Sequence, residues 1–128
     1  MKKISEVFND KGNLLSIFFT AGYPNLNDTQ AIISELSESG VDFIEVGLPY
    51  SDPLADGPTI QDSSQIALQN GMNLDVVFEQ LKAIKELNST PLVLMGYLNQ
   101  LLKYGEEKFC QACVDCGIET LILPDLPM

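Results

Sequence analysis

The sequence predicts an α/β protein built on a parallel sheet covered by helices. Two observations carry that prediction. Residues 15–20, 41–46, 92–95 and 118–123 form four short runs rich in Val, Ile, Leu and Phe, nearly continuous rather than alternating. Runs of that kind read as strands buried on both faces. Helical patterns separate them, so the order is a helix followed by β-α-β-α-β-α-β, the alternation that right-handed crossovers impose on a parallel sheet.

Each element has its own signal. An amphipathic segment at 4–9 precedes the first strand. Ile32, Ile33 and Leu36 form a helical face that ends at Gly40, with Asn25 or Asn27 as the N-cap after Pro24. Val77, Phe78, Leu81 and Ile84 form a second face capped by Asn73. Phe109, Ala112, Cys113 and Cys116 form a third, which ends at Gly117. Glu106 and Glu107 fit its first turn, where acids meet the positive end of the helix dipole. Lys82 and Lys85 fall on the outer side of the second helix.

Residues 39–46 and 116–123 resemble each other: both read Gly, a β-branched residue, an acid and then an apolar strand. Repeated βα units of this kind fit a barrel built by duplication. Strand spacing is uneven. The first and second strands begin 26 residues apart (15 to 41), as do the third and fourth (92 to 118), whereas the second and third begin 51 apart (41 to 92). A βα unit takes about 30 residues. An inserted segment, 47–61, therefore follows the second strand, on the side where loops carry the chemistry of α/β proteins. Three prolines and two glycines stiffen it, and it shows no helical or strand period. Gly47 and Gly57 are its candidate hinges.

Composition narrows the function. The 128 residues carry seven Lys, no Arg, no His and 18 acids, for a net charge of −11. That balance argues against nucleic acid and against an anionic membrane surface. No apolar run approaches transmembrane length, and the N-terminal segment is broken by Glu6, Asn9 and Asp10, unlike a secretory leader. Three cysteines make no disulfide framework, and a reducing cytoplasm is the simplest location. Without His, proton chemistry falls to carboxylates.

Glu45 stands out among those carboxylates because it lies near the C-terminal end of a buried strand. An acid there either finds a cation or backbone donors, points outward at the strand end, or serves as an acid–base group in a pocket. Asp52 and Asp56 follow in the inserted segment. Cys110, Cys113 and Cys116 have a C-x2-C-x2-C spacing, but a bacterial ferredoxin run needs a fourth Cys followed by Pro. Packing of small apolar thiols into a helix core accounts for them.

Residues 45–61, EVGLPYSDPLADGPTIQ, resemble the signature of the tryptophan synthase alpha subunit family. Phe18-Phe19-Thr20-Ala21-Gly22-Tyr23-Pro24, Leu94-Met95-Gly96-Tyr97-Leu98-Asn99 and Pro124-Asp125-Leu126-Pro127 resemble that family's first, third and fourth strands with their turns. The resemblance implies a TIM (β/α)8 barrel that cleaves indole-3-glycerol phosphate to indole and glyceraldehyde 3-phosphate by a retro-aldol reaction in tryptophan biosynthesis. It makes Glu45 the proton-transfer residue and Asp56 the acceptor of the indole N–H. Phe18, Ile60 and Leu94 would line the apolar pocket, with core packing an equal account of Leu94. Asp52, Pro53 and Asn99 match positions that face the beta subunit in an alpha2beta2 assembly, and a simple turn role accounts equally for Asp52. Pyridoxal phosphate belongs to that partner; no cofactor and no metal are expected in this chain.

Four strands are half of such a barrel, so residues 1–128 read as the N-terminal half of one domain without an internal linker, incomplete for activity alone. The phosphate loops of such barrels lie after strands 7–8. Two alternatives stand beside the lyase. One is a non-catalytic half-barrel interaction or assembly module, and the other is a related barrel acting on another phosphorylated substrate.

Overall fold

Four strands form within the apolar runs: β1 (Ser16–Thr20), β2 (Phe43–Gly47), β3 (Leu92–Met95) and β4 (Thr120–Ile122). All neighbours pair in parallel, in the order β1-β2-β3-β4. This is a computed structural model, and it describes residues 2–10 and 12–127. Among these, six α-helices accompany the strands: α1 (Ile4–Asp10), α2 (Thr29–Glu38), α3 (Pro58–Gln69), α4 (Leu74–Ile84), α5 (Leu98–Tyr104) and α6 (Glu106–Asp115).

The predicted faces of α2, α4 and α6 are the buried ones, centred on Ile33, on Val77, Phe78, Leu81 and Ile84, and on Phe109 and Cys113. Asn73 caps α4 by accepting from the Val76 N–H at 3.0 Å. Asn25 does not cap α2. It precedes a 3-10 turn at Leu26–Asp28 and donates its backbone and side-chain N–H groups to the Asp28 carboxylate. Glu106 and Glu107 occupy the first turn of α6, as expected.

Two helices escaped the sequence reading. Residues 58–61, taken as loop, are the first turn of α3. Pro58 enters at a helix start, where a missing N–H costs nothing. α5 is the other, a short helix between β3 and α6 that ends at Gly105, whose φ of +103° suits glycine.

Register explains the two sides of the sheet. Phe18, Glu45, Val93 and Thr120 are level with one another, and so are Phe19, Val46, Leu94 and Leu121. Side chains alternate along a strand. Ile44, Val46, Leu92 and Leu94 therefore enter the core with Ile33, Val77, Leu81 and Phe109 from the helices. The other face carries Phe18, Phe43, Glu45, Gly47 and Met95, of which Phe18, Phe43, Glu45 and Met95 remain partly exposed. On this face Val93 is 2% exposed and Gly47 is buried, so among the described residues the expectation of strands buried on both faces is met there in part. α1 closes part of the second face at the N-terminal ends of the strands, where the Phe8 and Phe43 ring centroids are 5.8 Å apart.

Candidate active site

The ladder continues past the strands at their C-terminal ends. The N–H groups of Ala21, Leu48 and Gly96 donate to the carbonyls of Gly47, Met95 and Ile122 at 3.0, 2.8 and 3.1 Å. Those bonds set the starting direction of each following loop, and the candidate residues sit on this rim.

Glu45 is half-exposed on the open face, level with Phe18 of β1 and Val93 of β3. Among the described residues its carboxylate has neither a hydrogen bond nor an ion pair. The pairing account of this carboxylate therefore finds no partner here. Gly47 is two residues along on the same face. It is the last residue of β2 and fully buried, so it is part of the sheet rather than a loop hinge. A Cβ built on it would lie 2.4 Å from Cζ and 2.8 Å from Cε2 of Phe18. The Phe18 ring therefore occupies the space that a side chain at 47 would take.

Asp56 is tethered. The Tyr97 hydroxyl donates to Asp56 Oδ2 at 3.0 Å and accepts from the Ala55 N–H at 3.0 Å. Tyr97 is buried, and its ring stacks on Tyr50 at 5.1 Å. Burial is the main cause that raises the phenol pKa of Tyr97, and the Asp56 carboxylate adds to it; the N–H of Ala55 works the other way. The phenol is thus kept protonated as a donor. Gln100 completes the junction, accepting from the Tyr97 N–H at 3.0 Å and donating to the Pro49 carbonyl at 2.8 Å. The Leu98 N–H donates to Asp125 of the β4 turn at 2.9 Å.

α3 is bolted to the end of β1. Thr20 and Ser63 share a buried hydroxyl–hydroxyl bond of 2.8 Å, and the Asn70 amide donates to the carbonyls of Gly22 and Pro24. Ile60 lies half-buried in the first turn of α3, beside the Asp56 loop. Gln61 returns to that loop and donates to the Asp56 carbonyl at 2.9 Å. Gly57 stands as the N-cap of α3 in an extended conformation.

The remaining candidates separate. Leu94 is 1% exposed and packs in the helix-side core, opposite Glu45. A pocket wall beside Glu45 cannot use it, because alternation turns it the other way, and core packing is its role. Val93 and Met95, level with Glu45 and Gly47, are the β3 residues on the Glu45 face. Asp52 and Asn99 line one cavity of about 530 Å³ together with Tyr50, Asp75 and Lys103. The Asn99 amide donates to the Tyr50 hydroxyl at 2.8 Å, and Asp52 itself is exposed. Pro53 is half-buried in the same loop, its carbonyl 3.4 Å from the Gln61 amide nitrogen.

Sequence reading missed Tyr97, Gln100 and Met95. Tyr97 and Met95 lie inside the quoted third-strand motif, but nothing in the motif shows which strand residue faces Glu45. The thiols divide: Cys113 and Cys116 are buried, and Cys110 is exposed, not packed in the core. Burial pushes the Cys113 thiol up to about 12. Lys82 is exposed as expected, while the Lys85 stem lies over Gly117. Among the described residues no group of three or more His, Cys, Asp or Glu could hold a metal ion.

A parallel βα sheet with Glu45 on its open face and Asp56 in the loop beyond the strand ends defines an α/β protein with carboxylates gathered toward the C-terminal side of its strands. The comparisons make that class particular. The profile described as Tryptophan synthase alpha chain matches residues 4–128. The chain is 56% identical to the tryptophan synthase alpha chains of Flavobacterium psychrophilum and Christiangramia forsetii, over 100% of its own length and 51% and 50% of theirs. The solved tryptophan synthase subunit alpha from Legionella pneumophila superposes with a TM-score of 0.89 at 36% identity, over 96% of this chain and 47% of that one. The aminoacrylate-bound tryptophan synthase of M. tuberculosis gives 0.89 at 36%, over 95% and 51%. This chain belongs to the tryptophan synthase alpha chain family, and its four-stranded sheet is the first half of that family's TIM barrel. It spans about half the length of the curated relatives it matches.

Proposed function

We propose that this chain contributes the proton-transfer face of a lyase that cleaves indole-3-glycerol phosphate to indole and glyceraldehyde 3-phosphate. The observation that carries this reading is the partnerless Glu45 carboxylate on the open face, between the Phe18 ring and β3, with Asp56 held on the rim by Tyr97. In the retro-aldol step a proton reaches C3 of the indole ring, and the ring becomes a cationic indolenine. The side-chain hydroxyl then loses its proton, the C–C bond to C3 breaks, its electrons restore the ring, and the oxygen becomes the aldehyde. One proton is delivered and one is taken, so a single carboxyl group serves as acid and then base. Glu45 fills that role. Asp56 accepts the indole N–H and offsets the positive charge that develops on the ring. Phe18, Ile60 and Met95 provide apolar walls.

The substrate phosphate needs backbone donors of the kind barrels place after strands 7–8, so the reaction requires four further strands beyond these. Asp52, Pro53 and Asn99 would face a beta subunit that holds pyridoxal phosphate, while this chain works without a cofactor, in the cytoplasm. Glu45→Gln in the lyase that carries these residues is expected to lower indole release by about 10²–10⁴-fold, with an unchanged circular dichroism spectrum. Turnover near the wild-type rate would remove Glu45 from its role.

A further inference from the structure

We infer that Gly47 is a specificity-determining residue, whose missing side chain seats the Phe18 ring and so keeps open a flat slot beside Glu45 for a fused bicyclic aromatic ring. This rests on the lyase reading above and deepens it.

The glycine has no backbone reason to be there. Gly47 is an ordinary strand residue and is not among the positive-φ glycines Gly22, Gly40, Gly71, Gly105 and Gly117. Space is the reason. Its Cβ would approach Phe18 Cζ to 2.4 Å and Cε2 to 2.8 Å, well inside contact distance, and the Phe19 carbonyl oxygen to 3.2 Å. Two of those three atoms are the far end of a side chain that can turn, so a methyl group at 47 displaces the ring before it displaces the sheet. Phe18 is level with Glu45 and is partly exposed on the same face. Phe18 starts level with Glu45 and its ring reaches forward over Gly47, so a ring denied that seat moves back toward the Glu45 carboxylate. Gly47 is thus a positioning residue that acts through Phe18 on the ring of the substrate.

A double-substitution cycle in the lyase that carries these residues tests the assignment. Gly47→Ala is expected to weaken indole binding about 10-fold and leave the affinity for glycerol 3-phosphate, which has no ring, unchanged. Phe18→Leu removes the far ring atoms, so adding Gly47→Ala to it is expected to change indole affinity less than twofold. The coupling between the two sites is the readout. Equal losses for indole and glycerol 3-phosphate would show a general disruption and overturn the proposal, as would additive effects. A wild-type protein that releases no indole from indole-3-glycerol phosphate counts against the lyase itself. In that case the Phe18 ring proton shifts, with and without Gly47→Ala, still decide whether the seat exists.

Discussion

Leu94 and Met95 are adjacent residues with opposite fates, and the difference is one of parity. Glu45 fixes which side of β2 is open, the register transfers that side to Val93 and Met95, and Leu94 is left facing the helices. Residue type singled out Glu45, a carboxylate in an apolar strand, whereas only the resemblance of the motif set Asp56 apart from Asp52 in the proline-stiffened loop. Register is a relation between strands far apart in the chain, so the pocket wall on β3 was not visible. Tyr97 was hidden for the same reason: its partners Asp56, Ala55 and Tyr50 all lie more than 40 residues away. Tyr97→Phe keeps the stacked ring and deletes the hydroxyl, which leaves the Ala55 N–H and Asp56 without their partner. Ala55 is exposed and Asp56 half-exposed, so water reaches both and the cost falls below that of a buried unsatisfied group, about 1–3 kcal/mol. The expected outcome is a drop in turnover of about 10-fold with a smaller loss of urea stability, and an unchanged kcat would show that Asp56 needs no tether. Tyr104 allows a prediction with a definite sign. Burial, then its 2.8 Å bond to Asp75, raises its phenol from 10.0 to about 12. A group raised in the folded state stabilises the fold fully below pH 10 and loses that contribution as pH rises toward 12. Tyr104→Phe should therefore flatten the fall of the thermal midpoint between pH 10 and 12, and an identical fall in both proteins would contradict the assignment.

Elements were legible in proportion to the apolar stripe they present. α4 buries Val77, Phe78, Leu81 and Ile84 and was read correctly down to its cap. α3 buries Ser63, Ser64 and Ala67, small or polar residues that leave no stripe to detect, and the Ser63 hydroxyl bonds instead to Thr20 and the Ile60 carbonyl. A helix held by hydrogen bonds to one strand end has no hydrophobic period, and so it was taken for loop. α5 spans only seven residues, about two turns, too few for a period to show. The cap offers a clean test at this scale. Asn73→Ala removes the acceptor of the Val76 N–H on the exposed start of α4. The expected loss is about 1 kcal/mol in urea denaturation, with indole release unaffected, because Asn73 stands apart from Glu45 and Asp56. A loss below about 0.3 kcal/mol would mean that water replaces the cap.

For these 128 residues taken alone, the opposing features are a high negative charge and a sheet whose outer strands, β1 and β4, have no further neighbour among the described residues. β1 and β4 end the sheet, and the side chains of Phe8, Leu15, Ile122 and Leu126 are exposed. Exposed strand edges beside apolar side chains favour association of one chain with another. The net charge of −11 opposes it at neutral pH. The isolated 128-residue chain should therefore stay dispersed in low salt at pH 7. Protonation of its 18 acids against seven lysines removes the repulsion as pH falls toward the isoelectric point of about 4.1. Light scattering across that range is expected to rise steeply on the approach to that point. Raised salt at pH 7, which shortens the reach of charge to about 3 Å at 1 M, should produce part of the same rise. Ile122→Lys trims the net charge from −11 to about −10, which by itself moves the onset to higher pH, so an onset shifted to lower pH instead is the signature of a lysine that blocks strand pairing at β4. Scattering that follows pH but ignores both salt and Ile122→Lys would locate the association somewhere other than this edge.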